Sequence, residues 1–395
     1  MTRRVDRPAL VTRPFVLVWI SALCSVTASG MLIPTLPVFA DGQLEAGKVG
    51  VGLLVAATTP AAILLQPFLG RYADRRGRRL ILVAGPIVFG VCISAFSLAE
   101  SLGLLIAIRA LAGIGEGAMY LAPATVVNDL APDERRGEAV SLFSLYVWTG
   151  MAVGPPLGEL ILRDTHFDTV FLTAGALSVA GGLLARFVPE TRPAAVPAPA
   201  GRGLRGRGAL APAVVQVMEI MGWIGLIAFV PLYARELGME GAGLVFAVNA
   251  IVVLSIRGLG RKLPDRLGPR RGGTLGLVGC AAGLVVVALW RDPAGLYAGT
   301  ALFFAGHSLL YPALMMLVIG RTADEERSSA VGLFTASASF GVAVGAISLG
   351  AIAAVVGYQW TFAVGAAIVA AALIPLRRMR TGQGGGVVAA AEVPP

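Results

Sequence analysis

Gly70-Arg71-Tyr72-Ala73-Asp74-Arg75-Arg76-Gly77-Arg78-Arg79 is a short arginine-rich stretch between two long apolar runs. Asp265-Arg266-Leu267-Gly268 repeats its centre 191 positions later. The same offset pairs Glu134-Arg135-Arg136 with Glu325-Glu326-Arg327, and Leu142-Phe143 with Leu333-Phe334. It also pairs Gly150 and Gly154 with Gly341 and Gly345, and Tyr120 with Tyr311. A half-length repeat in so apolar a chain predicts a membrane protein of two similar halves with a pathway between them.

Composition supports that reading. Of 395 residues, 56% are hydrophobic and only 14% are charged, against about 25% charged in a soluble domain. Mean hydropathy is +0.79. Too few charges remain to coat a water-facing surface of this size. Apolar runs of about the length that crosses a bilayer as a helix recur along the whole chain. They lie near 15–39, 49–69, 80–98, 102–126, 139–162 and 169–188 in the first half. In the second half they lie near 211–234, 242–257, 273–290, 294–319, 329–355 and 359–376.

The net charge of +9 is one-sided. With alternating spans, 27 of the 32 basic residues fall on one side, including Arg257 and its neighbours. Lys48, Arg163, Arg235 and Arg291 fall on the other, and Arg109 lies inside a span. The positive-inside rule then places both termini in the cytoplasm, in a multi-pass protein of the plasma or inner membrane. The same bias explains the basic balance without nucleic acid, for which no aromatic-studded basic domain is present. The basic start followed by Phe15–Phe39 is too long for a signal peptide and reads as an uncleaved first span.

The chain divides into a first bundle over 1–188, a linker over 189–210, a second bundle over 211–376 and a tail over 377–395. The linker is rich in Pro, Gly, Ala and Arg without periodicity and reads as flexible and cytoplasmic. The Gly- and Ala-rich tail reads as disordered. Cys24, Cys92 and Cys280 are each in a span and far apart, so no disulfide framework or metal spacing follows. No cofactor is expected. Nothing in the sequence fixes an oligomeric state, and a monomer is compatible with it.

Two further motifs sit inside spans. Arg109-Ala110-Leu111-Ala112-Gly113-Ile114-Gly115 puts a cation into the fourth span. Gly150-Met151-Ala152-Val153-Gly154-Pro155-Pro156-Leu157-Gly158 puts a smooth glycine face and a bend into the fifth. Together with the loop word, these resemble the three signature motifs of the major facilitator superfamily, and the last resembles the motif typical of its drug:proton antiporter families. The resemblance covers the whole chain. It implies an all-α membrane fold of two six-helix bundles, twelve transmembrane helices related by a pseudo-two-fold axis, rocking around a central cavity. It implies that the first, fourth, seventh and tenth spans line that cavity. It assigns conformational gating to Asp74, Arg75, Gly77, Asp265 and Arg266 in the loops, and to Gly150, Gly154, Pro155 and Gly158 in the fifth span. Asp129, at the end of the fourth span, is expected to pair with arginines of the Asp74 loop. Two departures stand out. Position 159 is Glu where the family often has a small residue, and the first span carries no acid.

Arg109, Glu116, Glu159 and Glu219 are the clear charges within spans. Each costs about 2.5–3.5 kcal/mol near mid-bilayer, so each must be paired, protonated or wetted. Arg109, Gly113, Glu116 and Tyr120 follow helical spacing on one face. The repeat maps Glu116 onto His307 and Tyr120 onto Tyr311. Glu116 is the first candidate for carrying a proton, with Arg109 and His307 beside it in that role. Glu219, with Gln216 before it and Trp223 one turn on, is a candidate contact for a cationic or amphipathic cargo, as are Tyr120 and Tyr311. Glu159 reads as interfacial.

These features predict a secondary transporter that exports a small amphipathic molecule against protons. An uptake symporter or facilitator is the alternative, disfavoured by the Gly-Pro motif of the fifth span. No G-x-x-x-x-G-K-[ST] loop and no His-Glu-x-x-His motif occurs, so neither P-loop ATP hydrolysis nor an intramembrane zinc enzyme is expected. If the loop word gates, Asp74→Asn slows turnover more than it weakens cargo binding. An unchanged turnover rate would reduce the loop to a topological signal.

Overall fold

The computed structural model describes residues 10–61, 64, 65, 68, 72, 77–132, 135–191, 207–260, 263–322 and 326–379. Asp74, Arg75, most of the expected linker and nearly all of the expected tail lie outside them. The helices of the first half are α1 (Arg13–Gln43), α2 (Gly47–Ala56), α3 (Arg79–Ser94), α4 (Leu102–Leu130), α5 (Arg136–Phe143), α6 (Leu145–Asp164) and α7 (Phe167–Leu184). Those of the second are α8 (Arg207–Glu236), α9 (Gly243–Leu259), α10 (Leu263–Leu289), α11 (Pro293–Gly320), α12 (Arg327–Ala371) and α13 (Leu373–Arg378). Among the described residues, eight helical stretches are long and apolar enough to cross a membrane by length and composition.

Local chemistry sets several of these boundaries. Thr12 caps α1, its Oγ1 accepting from the Phe15 amide at 3.4 Å. Ser101 caps α4 and Asp292 caps α11 in the same way. α12 carries two of the expected spans in one element, and the chain turns between them at Gly357, with φ 82° and ψ 170°. α8 begins at Arg207 rather than at 211, because its apolar face continues into the segment read as linker.

The half-length repeat is structural. Shifted by 191, α4 falls over 293–321, and α11 occupies Pro293–Gly320. α1 packs on α6 and α7 while α3 packs on α4 and α7. In the second half, α8 packs on α12 while α10 packs on α11 and α12. The helix pairs that join the halves also interchange under the shift, α2 with α12 and α6 with α9. The architecture is two six-helix bundles related by a pseudo-two-fold axis. Both copies of the loop word place their glycine at positive φ, Gly77 at 98° and Gly268 at 68°, where a side chain is strained. Outward faces are apolar, with Val355 85% exposed and Leu98, Phe187 and Leu289 also bare. Such surface suits hydrocarbon and not water.

The glycines of the fifth-span motif lie against α1. A Cβ on Gly154 would come within 2.5 Å of the Thr27 carbonyl oxygen and 2.8 Å of the Gly30 Cα. One on Gly158 would come within 2.6 Å of the Met31 oxygen. Backbone, not a movable side chain, blocks both positions. Gly154→Ala is therefore expected to destabilise the first bundle by about 1–3 kcal/mol, seen as a lower Tm in detergent. Gly42→Ala, where a Cβ meets nothing within 4 Å, is the control and should not lower it.

Candidate functional site

A cavity of about 330 Å³ lies between the bundles. α1, α2, α4 and α6 form its wall on one side, and α8 and α12 form it on the other. Arg109, Glu116, Tyr120, Met151, Trp223 and Ser339 are among its lining residues. Arg109 and Glu116 are two helical turns apart on α4, and the long arginine side chain spans the interval. Its Nη2 stands 3.9 Å from Glu116 Oε2, beyond hydrogen-bond reach. Arg109 Nε and Nη1 and Glu116 Oε2 are sealed from solvent without a hydrogen-bond partner. The indole N–H of Trp223, across the cavity, is equally unmatched. A Cβ on Gly113, between the two charges, would strike the Thr58 backbone, so the chain just after α2 closes directly on this face.

A second pair lies off the cavity wall. His307 Nδ1 and Glu219 Oε1 are 2.8 Å apart, with Glu219 only 3% exposed. The repeat equates His307 with Glu116, yet His307 partners an acid of its own bundle. The His307 ring packs edge-on against Trp148 of the first bundle, with centroids 6.2 Å apart. Gln216 is buried and accepts from Ser337 Oγ at 3.0 Å. Tyr311 packs against Phe334. Of the residues expected at the cargo path, Tyr120 and Trp223 therefore line the cavity, while Glu219 and Gln216 are engaged by neighbours beside it.

Charged groups tie elements together at both ends. At the arginine-rich end, Arg78 Nη1 lies 2.5 Å from Asp129 Oδ2, joining α3 to α4. Arg78 also donates to the Thr125 carbonyl at 2.8 Å. The Glu190 carboxylate accepts from the amides of Arg78 at 2.6 Å and Arg79 at 3.3 Å, capping α3. A Cβ on Gly77 would run into that carboxylate. Arg266 is exposed at the start of α10, and the side chain of Asp265 lies outside the described residues.

At the opposite end the halves meet. Glu159 on α6 accepts from the Ala242 amide at 2.6 Å and the Gly243 amide at 2.7 Å. It thus caps α9 of the other bundle, where a carboxylate meets the positive end of the helix dipole. Pro155 keeps the same turn of α6 in place, its side chain near Gly30 and its carbonyl near Gly243. Arg163 pairs with Glu240 at 2.9 Å, and Lys48 lies over the Tyr358 ring at 4.5 Å. A Cβ on Gly52 would fall on the Ala346 carbonyl. Apart from Pro155 against Gly30, which lies within the first bundle, these contacts join one bundle to the other.

Sequence reasoning missed three participants. Glu159 was expected to be interfacial, and only the fold brings the α9 amides to it. Glu190 was hidden at the start of the linker. Arg257 was counted with the arginine-rich loops, whereas it is held inside α9 over the Trp148 ring, 5.2 Å from its centroid. Its position within the last turn of a short apolar span was the available signal.

The family model of the Major Facilitator Superfamily matches residues 18–306 and 212–392. An uncharacterized MFS-type transporter of Salmonella typhimurium is 27% identical over 354 residues, covering 86% of this chain and 89% of that protein. The quinolone resistance protein NorA of Staphylococcus aureus is 29% identical over 152 residues, 38% of each chain. The solved structure of the nucleoside transporter NupG (D323A mutant) superposes with a TM-score of 0.76 at 14% identity, covering 92% of this chain and 99% of that one. At that identity the likeness speaks for the fold alone. Two repeated bundles around a charged central cavity, matched by the family model through both halves, make this chain a transporter of the major facilitator superfamily.

Proposed function

We propose that this protein exports a small amphipathic molecule in exchange for protons, by alternating access of the central cavity. The observation that carries the reading is the Arg109–Glu116 pair, 3.9 Å apart on the cavity wall and joined by no hydrogen bond. An ionised Glu116 is held by Arg109. A protonated one loses that attraction and sheds its desolvation cost. Proton and cargo thereby act on one wall and favour different states of it. The buried His307–Glu219 pair supplies a second place for a proton. Inward proton flow contributes about 2.3 kcal/mol per charge per 100 mV.

The arginine-rich end faces the cytoplasm in this reading, by the positive-inside rule. The Glu159 end then faces outward and is the closed gate of an inward-facing state. A wall of Tyr120, Trp223 and Met151 favours an apolar body on the cargo. The fifth-span Gly-Pro motif, and a relative named for quinolone resistance, support export over uptake.

In reconstituted vesicles, Glu116→Gln abolishes gradient-driven transport but leaves cargo exchange measurable. Full gradient-driven transport by that variant would remove Glu116 from proton coupling. Glu159→Gln removes the charge on the α9 cap, worth roughly 1 kcal/mol in a partly buried setting, so outward opening becomes about fivefold more frequent. The readout is labelling of an Ile227→Cys cavity cysteine by an impermeant maleimide from outside, in a chain freed of Cys24, Cys92 and Cys280. Unchanged labelling would show that Glu159 does not hold that gate shut.

A further inference from the structure

Among the described residues, the acids and bases set within the spans are matched, with one exception. Arg109 faces Glu116, Arg78 faces Asp129, and Glu219 faces His307. Glu159 faces two helix amides. Arg257 faces no carboxylate among the described residues. Its Nε is sealed from solvent with no partner, while its two terminal nitrogens are not sealed and make no hydrogen bond among the described residues. It lies over the Trp148 ring, 5.2 Å from its centroid, and within electrostatic range of the Tyr311 phenol. A cation–π contact offsets only about 0.5–2 kcal/mol, less than the cost of an unpaired charge in a span.

Position makes this more than a structural oddity. Trp148 and Met151 are three residues apart on α6, hence neighbours on one face, and Met151 lines the cavity. Arg257 and Trp148 therefore lie next to the cavity, towards the arginine-rich end. Trp148 comes from the first bundle, and Arg257, Tyr311 and His307 from the second. A molecule held here touches both moving parts. The acid expected to receive a cation, Glu219, is already engaged by His307. The open charge on the path is positive.

We propose that Arg257, Trp148 and Tyr311 form an anion subsite at the mouth of the cavity, and that the cargo is an amphipathic carboxylate. The carboxylate takes the two open guanidinium nitrogens as a bidentate pair. The apolar body lies on the Trp148 ring and points into the cavity. The inference rests on the reading of the cavity as a cargo path, and it replaces a cationic cargo with an anionic one.

Three dyes with one fluorophore and different charge test it: dansylglycine (anion), dansylamide (neutral) and dansylcadaverine (cation). Each is titrated into purified protein without any gradient. Dansylglycine is expected to bind about tenfold tighter than the other two, a difference of about 1.4 kcal/mol. Arg257→Gln should erase that preference, and Arg257→Lys should keep part of it, since an ammonium is not bidentate. Without dye, Arg257→Met should melt higher than the parent protein, because an unpaired buried charge is gone. The proposal is overturned by equal or tighter binding of dansylcadaverine, by binding of none of the three, by a preference that survives Arg257→Gln, or by a lower Tm for Arg257→Met. Vesicles with a pH gradient test the other reading separately. Selective dansylglycine binding without gradient-driven movement upholds the anion subsite and removes proton-driven export.

Discussion

The constraint on which this structure depends is the cost of a charge in a low-dielectric span. No water is at hand to dissolve the cost, so each ionised side chain must face an opposite charge, a helix end or a wet cavity. Glu219 meets a histidine, Asp129 meets Arg78, and Glu159 meets two amides of another helix. Arg109 and Glu116 face each other across a gap, with the cavity beside them. These contacts hold elements in place, and several join parts that a transporter must move. The same few interactions thus serve stability and conformational change.

Close backbone packing is the second element of the design. Helices in hydrocarbon gain little from hydrophobic burial against one another, so contact depends on surface fit. The glycines of α6 let α1 approach to backbone distance, and Gly52 does the same between α2 and α12. One contact lies within a bundle and the other between bundles. The repeat makes this economical. One packing scheme, used twice, yields two bundles whose joining pairs interchange under the pseudo-two-fold axis.

Much of the fold was legible in the sequence because its causes are local or periodic. Span length, arginine asymmetry and the 191-residue echo are each read along the chain, and positive φ at Gly77 and Gly268 sits in the word that repeats. The site was legible only in part. Arg109, Glu116 and Tyr120 share a helix, so their common face follows from helical spacing, and they do line the cavity. The partner of His307 did not follow, because the repeat gives equivalence between halves and says nothing about proximity. The cap of α9 by Glu159 joins residues 83 apart, a pairing that no local pattern encodes.

By itself, then, the sequence determined that this chain crosses a bilayer repeatedly, in two related halves, with charges that a membrane does not tolerate unmatched. Those properties are sums over residues or regularities along one helix, and they survive without knowing which helices touch. Only the tertiary structure decided which charges are matched. It gave Glu219 to His307 and the α9 amides to Glu159, and it left Arg257 beside an aromatic ring with no acid facing it among the described residues. The physical reason is that electrostatic pairing in a dry interior acts over a few ångströms, and distance across the bundles is a property of packing, not of order along the chain.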